Sequence, residues 1–408
     1  MGWAPRSVRL AALIALAAGC GDDIGGGAGG DGGRLSDAQT RADGGRSDAG
    51  GSDAVASDAG GSDTLRAPDG SGVDAQPGSD GGGGSGLQVS GNHLVDGSGR
   101  TVRLLGVNRS GTEYACIQGF GFFDGPSDDA SIQSIVGWHA NAVRVPLNED
   151  CWLAINGAPA AYAGSAYQLA ISGFVTRLRA HNLYPILELH WSAPGAQQAT
   201  SQQPMPDRDH SVTFWSQVAN FYQTDLSVVL ELFNEPFPDS NRDTDAAWAC
   251  WRDGGTCPGF SYQAAGMQEL VDAVRATGAQ NVILLGGVQY SNALSQWLTH
   301  KPNDPTGNLA ASWHIYNFNL CSDGACYDAH AGLVAQQVPV VATEIGEDDC
   351  MGSFITPLMS WLDGHGGSYL AWTWDTWGGC LVLITNYNGT PNGMYGQTFH
   401  DHLMSIMP

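Results

Sequence analysis

The chain predicts an α/β fold: a (β/α)8 TIM barrel with an N-terminal β-hairpin, preceded by a signal peptide and a disordered Gly/Asp/Ser linker. Three observations lead there. Gly21–Gly86 is almost wholly Gly, Asp, Ser and Ala, with "SDAG" and "GGSD" recurring, so it cannot bury enough apolar surface to order itself. From Leu87 onward, eight short apolar runs alternate with helical patterns. The runs themselves are apolar, whereas polar and aromatic residues collect at their C-terminal ends.

Met1–Cys20 carries Arg6 and Arg9 ahead of the apolar run Leu10–Ala18, which is too short to span a bilayer and reads as an export signal. Its end, "LAAGC", is similar to a bacterial lipobox, with Ala17 where leucine is more usual. Lipidation of Cys20 would make it the mature N-terminus. The expected location is extracellular or at the cell surface, lipid-anchored to a bacterial outer membrane through the 21–86 tether; ordinary signal cleavage is the alternative. Gly25–Gly30 matches a dinucleotide fingerprint, but without a strand before it or a helix after it the match has no meaning. A net charge of −24 and the lack of a basic stripe exclude a nucleic-acid partner and suit a neutral substrate.

Leu87 opens the globular region, 87–408, with two strand-like runs around an Asp96–Gly99 turn, a hairpin signal. The strand candidates follow as Val102–Asn108, Asn141–Pro146, Tyr184–His190, Ser227–Asn234, Asn281–Gly286, Ala310–Tyr316, Pro339–Glu344 and Ser368–Trp374. Between them, "AYQLAISGFVTRLRAHN" places Tyr167, Ile171, Phe174, Val175 and Leu178 on one helical face. "SIQSIVGW" and "GMQELVDAVRATG" repeat the spacing. Buried parallel strands with helices between them can close into a barrel or stay an open sheet. The open sheet would normally carry a glycine-rich phosphate turn after its first strand; "GVNRSGTEYAC" holds none.

With Cys20 set aside, eight cysteines remain. In an oxidising compartment they can pair as nearest neighbours: Cys116 with Cys151, Cys250 with Cys257, Cys321 with Cys326, and Cys350 with Cys380. Zinc is the competing reading, disfavoured because no CxxC occurs.

In such a barrel the chemistry sits at the C-terminal strand ends. Those ends read Asn108, Arg144, His190, Asn234 with Glu235, His314 with Tyr316, Glu344, and Trp372 with Trp374. Pro236 stops the fourth strand and leaves Glu235 at the rim. Glu235 and Glu344 can face each other across the mouth, the pair that glycosidic cleavage needs. Because Asn234 and Glu235 are adjacent, strict alternation would separate them, so a bulge is expected at the end of strand four. Glu347 is expected to be a solvated loop residue, and Glu188 and Glu231 to be interior groups.

"NEP" at Asn234–Pro236, "TEIGE" at Thr343–Glu347, "VRVPL", "LELHW", "SWHIY" and "AWTWDTW" together resemble glycoside hydrolase family 5, the cellulase family, over all of 87–408. The resemblance implies a retaining double displacement, with Glu235 as acid/base and Glu344 as nucleophile. It also implies Asn234 on the sugar 2-hydroxyl, Arg144 and Tyr316 on Glu344, His190 and His314 lining the reacting subsite, and Trp372 or Trp374 as the sugar platform. No metal or organic cofactor is implied, and a monomer is expected. The leading expectation is an endo-β-1,4-glucanase; β-mannanase, xyloglucanase and xylanase share the chemistry. A carbohydrate-binding surface lipoprotein without catalysis is the alternative of another class. A serine hydrolase is disfavoured by the absence of GxSxG. "WSAPGAQQATSQQPMPDRDH" and "AWACWRDGGTCPGF" are longer than such a frame requires and shape the cleft.

Overall fold

A computed structural model describes residues 86–406. The expectations for the export signal, Cys20 and all of the tether but Gly86 fall outside the described residues. Eight parallel strands close into a barrel. They are β1 (Leu105–Asn108), β2 (Ala142–Asn148), β3 (Tyr184–Trp191), β4 (Val229–Glu231), β5 (Ile283–Gly286), β6 (Leu309–Tyr316), β7 (Val340–Gly346) and β8 (Ser368–Ala371). Each neighbours the next in chain order, and β8 closes on β1. Gly106 leaves room for the neighbouring strand: a Cβ there would fall 1.8 Å from the carbonyl oxygen of Ala142.

Side-chain alternation sorts the strands into two cores. Val143, Val145, Leu187, Leu189, Leu230, Ala311, Trp313 and Ile345 join a large apolar cluster with the helices. In Ser165–Ala180, the five residues read as one face, Tyr167 to Leu178, are all buried. The other strand face points into the barrel. There Ala142, Ile186, Val229, Leu284, Ala310, Val341 and Leu370 form a second cluster, joined by Leu87 and Leu94 of the N-terminal segment. That segment is a small three-stranded sheet, Gln88–Ser90, His93–Val95 and Thr101–Val102. The expected hairpin is present, with Gly99 N donating to Asp96 O at 2.8 Å. A second reversal at Gly91, which takes φ +60, divides its first run into two strands.

Two residues further along each of five strands, the interior changes character. Arg144, Glu188, Glu231, Ser312 and Thr343 follow Ala142, Ile186, Val229, Ala310 and Val341 at the two-residue step that keeps side chains on one face. A polar layer therefore lies over an apolar floor. All four expected disulfides are formed: Cys116–Cys151, Cys250–Cys257, Cys321–Cys326 and Cys350–Cys380. Among the described residues no helix is long and apolar enough to cross a membrane.

Candidate active site

The polar layer is organised by Arg144, which is fully buried. Its Nε donates to Glu231 Oε2 at 2.6 Å and its Nη1 to Glu344 Oε1 at 2.6 Å and Asn108 Oδ1 at 3.0 Å. Its Nη2 donates to Asn234 Oδ1 at 2.8 Å and lies 3.6 Å from Glu188. A guanidinium buried this way would be very costly alone; three surrounding carboxylates and two amide oxygens offset the desolvation. Burial would raise the Glu231 carboxyl, but Arg144, His314 and the hydroxyl of Ser312 outweigh it and bring it down to about 2.

Glu344 comes to this layer through a bulge. Along β6, Ser312 and His314 are two residues apart, but their β7 partners Val341 and Glu344 are three apart. The β8 side shows the same extra residue, between Ala342 and Ile345. Thr343 and Glu344 thus both point inward while Ile345 returns to the outer core. Burial pushes the Glu344 carboxyl up; His314 and Arg144 pull harder in the other direction and hold it below the ordinary carboxyl value. Tyr316 OH donates to its other oxygen at 2.5 Å. The result is an ionised carboxylate with both oxygens fixed.

Strand four solves the same problem differently, and here the expectation of a bulge fails. Regular pairing stops at Glu231. Beyond it single bonds hold the chain, Leu232 N to Leu284 O at 3.2 Å on the β5 side and Asn234 N to Leu189 O at 3.1 Å on the β3 side, and it bends at Asn234. With no ladder to obey, Asn234 and Glu235 need not alternate. The Asn234 side chain is oriented by Arg144 through its oxygen, which leaves its buried Nδ2 without a partner in the protein. Glu235 accepts from His314 Nδ1 at 2.9 Å and from Gln202 Nε2 at 2.7 Å. Its side chain is 14% exposed, against 5% for Glu344.

His314 stands between the two acids, its Nδ1 also 3.6 Å from Glu344 Oε2 and its Nε2 3.0 Å from Thr343 Oγ1. Burial disfavours its charge, but Glu344, Glu231 and Glu235 outweigh that and raise it to about 10. His190 is raised to about 9 against its own burial by Glu188, whose Oε1 lies 2.5 Å from its Nδ1. One oxygen of Glu235 and one of Glu344 lie within 4.8 Å of each other and of a His314 nitrogen. Such a trio also has the make-up of a metal site, but Arg144 and the charged His314 already supply positive charge at Glu344, and a further cation would be repelled.

Of the two tryptophans, Trp372 is half-buried and stacks on His190, centroids 5.6 Å apart and planes 12° from parallel. Trp374 is 0% exposed and packs edge-on against Trp138 at 4.8 Å. Its expected place at the cleft is therefore corrected: it belongs to the core behind β8. Trp313 is likewise in the outer core, its Nε1 donating to Asn292 O. Glu347 is not solvated either; it is buried and accepts from the backbone N–H groups of Gly352, Phe354 and Ile355, shaping the loop after β7. Glu188 and Glu231 are interior, as read. Sequence reasoning missed Gln202 and Glu113. Gln202 lies in a connection with no periodicity to flag it. Glu113 is buried beside His190, and burial raises its carboxyl to about 7.

The family model for cellulase, glycosyl hydrolase family 5, matches residues 95–378. The chain belongs to glycosyl hydrolase family 5. Among its relatives, a mannan endo-1,4-β-mannosidase of Streptomyces lividans is 25% identical over 316 residues, 76% of this chain and 71% of that protein. Endoglucanase E-5 of Thermobifida fusca is 23% identical over 65% of this chain; the match spans about half (49%) of the endoglucanase. A β-glucanase of Saccharophagus degradans, solved in complex with cellotetraose, superposes with a TM-score of 0.62 at 22% identity. That superposition covers 79% of this chain and 94% of the other, and is a likeness of fold. As a family 5 member, the chain is a glycoside hydrolase.

Proposed function

We propose that the enzyme cleaves β-1,4-linked hexose polymers internally, with retention of configuration, through Glu344 as nucleophile and Glu235 as acid/base. The observation that carries this reading is the approach of the two carboxylates to within 4.8 Å. Retaining glycosidases place the pair about 5–5.5 Å apart, whereas inverting ones leave about 6.5–9.5 Å for a water. Glu344, ionised and aimed by Arg144 and Tyr316, attacks the anomeric carbon while Glu235 protonates the departing oxygen. Water, deprotonated by Glu235, then releases the sugar from Glu344. The unpartnered Nδ2 of Asn234 meets the 2-hydroxyl, a contact that strengthens as charge develops at the ring. Trp372 carries the apolar face of that sugar, with His190 and His314 beside it.

Glucan is our leading substrate. Mannan is the second reading, favoured by the Streptomyces lividans mannosidase, which aligns over more of this chain than the endoglucanase does. Carboxymethylcellulose, mannan, xyloglucan and xylan assayed side by side, with product sizes and anomers resolved, test the proposal. An inverted first product would end the double displacement; exclusively terminal release would end endo action. We propose export and lipidation at Cys20 as well. Labelled palmitate incorporated by the wild type and not by Cys20→Ser is the expected result.

A further inference from the structure

The long connection after β3 and the disulfide-closed ribbon after β4 meet at the rim. Arg208 N donates to Gln263 O and Ala265 N to Pro206 O, both at 2.9 Å, and Asp239 N donates to Pro258 O at 3.0 Å. Between them is a groove of about 510 Å3. One side carries Phe260 and Tyr262, ring centroids 4.4 Å apart and planes 33° apart. Tyr262 is fixed by its hydroxyl, which donates to Met205 O at 2.6 Å and accepts from Met205 N at 3.0 Å. Gln197, Gln203 and Asp209 supply polar groups around the rings. Among the described residues, the side-chain amides of Gln197 and Gln203 make no hydrogen bond, and Asp209 uses Oδ2 on Gly195 N at 3.0 Å.

We propose that this groove is a sugar-binding subsite for the leaving-side end of the polymer, beyond the sugar that departs at the cleaved bond. The inference rests on the β-1,4-glycanase reading above and extends it to chain length. Position is the first argument. Gln202, which holds Glu235, is the residue before Gln203, and Phe237 N is bonded to Pro204 O at 2.9 Å. The groove is thus lined by the residues that follow the acid's own partner in the chain. Chemistry is the second. A pyranose offers an apolar C–H face to an aromatic ring and a rim of hydroxyls that both donate and accept, which matches unengaged amides beside a carboxylate. A purely apolar ligand would bury those amides unpaired, and a polyanion would meet Asp209. Size is the third, since the volume falls within the range of ordinary ligand sites. The Cys250–Cys257 bridge and the Tyr262 hydroxyl hold the platform in place before binding, which reduces the ordering cost.

The test compares kcat/KM on a β-1,4 hexasaccharide with that on an aryl disaccharide glycoside, whose leaving group ends before the groove. The sugar is whichever hexose the wild type cleaves best. Phe260→Ala should lower the hexasaccharide value about tenfold, the equivalent of one good ring contact, and leave the aryl glycoside within about twofold. Gln203→Ala, whose side chain supports no core, should show the same length dependence at about threefold and carries the test if Phe260→Ala melts early. Equal losses on both substrates would make the ring a structural support, and unchanged values on both would remove the subsite. A wild type that cleaves no β-1,4 polymer would overturn the glycanase reading and this inference together. An active wild type with no length dependence in the variants overturns the subsite alone.

Discussion

The ends of β4 and β7 each deliver a glutamate to the same few ångströms and hold it in opposite ways. At β7 the ladder runs on past Glu344 to Gly346, and the bulge, Arg144 and Tyr316 leave the carboxylate no freedom. At β4 the ladder stops at Glu231, and Glu235 stands four residues further on, braced by one histidine from the barrel and one amide from a rim loop. The contrast follows the chemistry each is proposed to perform. A nucleophile must stay ionised and aimed at one carbon, which a buried cation and a continuous strand secure. An acid/base changes protonation twice in each cycle. A glutamine suits it, because its amide can offer N–H to a carboxylate or C=O to a carboxylic acid.

Substituting each end in turn breaks the comparison most sharply. Glu344→Ala should lose at least about 10^4-fold in turnover on every substrate. Glu235→Ala should lose similarly on polysaccharide, yet retain the first step on a dinitrophenyl glycoside whose leaving group needs no proton, with azide restoring turnover. Equal losses on the activated glycoside would show that the two ends do not differ in role. Arg144→Met comes next. It leaves Glu231 and Glu344 buried without their cation, at a cost of about 3–5 kcal/mol in denaturant unfolding, and should lower kcat by about 10^2–10^3-fold. If stability were unchanged, the charged layer would not be organised by this arginine.

Stability against pH separates the layer from its surroundings. Glu231 and Glu344, held below the ordinary carboxyl value, contribute stability that is present above about pH 4.5 and fades as pH falls through their lowered values. His190 and His314, raised to about 9 and 10, contribute below about pH 6.5 and lose it as pH rises through those values. Glu113, raised to about 7, is favourable below about pH 4.5 and costs up to about 3 kcal/mol as pH rises through 7. Glu113→Gln should therefore narrow the Tm difference between pH 5 and pH 8; a Tm curve parallel to the wild type would contradict this. The smallest effect is expected from Gln202→Ala, about five- to tenfold on polysaccharide, given a charge-assisted bond discounted for partial exposure. It should be nearly silent on the dinitrophenyl glycoside. Equal losses on both substrates would make Gln202 a support of the loop and not of the acid.

Much of this site is legible in the chain because barrel topology converts sequence position into spatial position: a residue at a strand's C-terminal end is at the mouth wherever the strand lies. Arg144, His190, Asn234, Glu235, His314, Tyr316 and Glu344 were readable on that ground. Trp374 was not, since Trp372 and Trp374 both follow an apolar strand and only packing against Trp138 shows which one left the cleft. Gln202 lies on irregular chain, where no period marks it.

Short apolar runs alternating with helical patterns, and polar and aromatic residues gathered at the C-terminal ends of those runs, were enough to determine the barrel and its mouth, because strand and helix periods are local properties of backbone geometry. The one-residue bulge in β7, the early end of β4, the burial of Glu347 and the groove between two distant loops were decided by the tertiary structure. Each depends on which strand or loop lies alongside, and neighbours brought together by folding leave no mark on the local pattern.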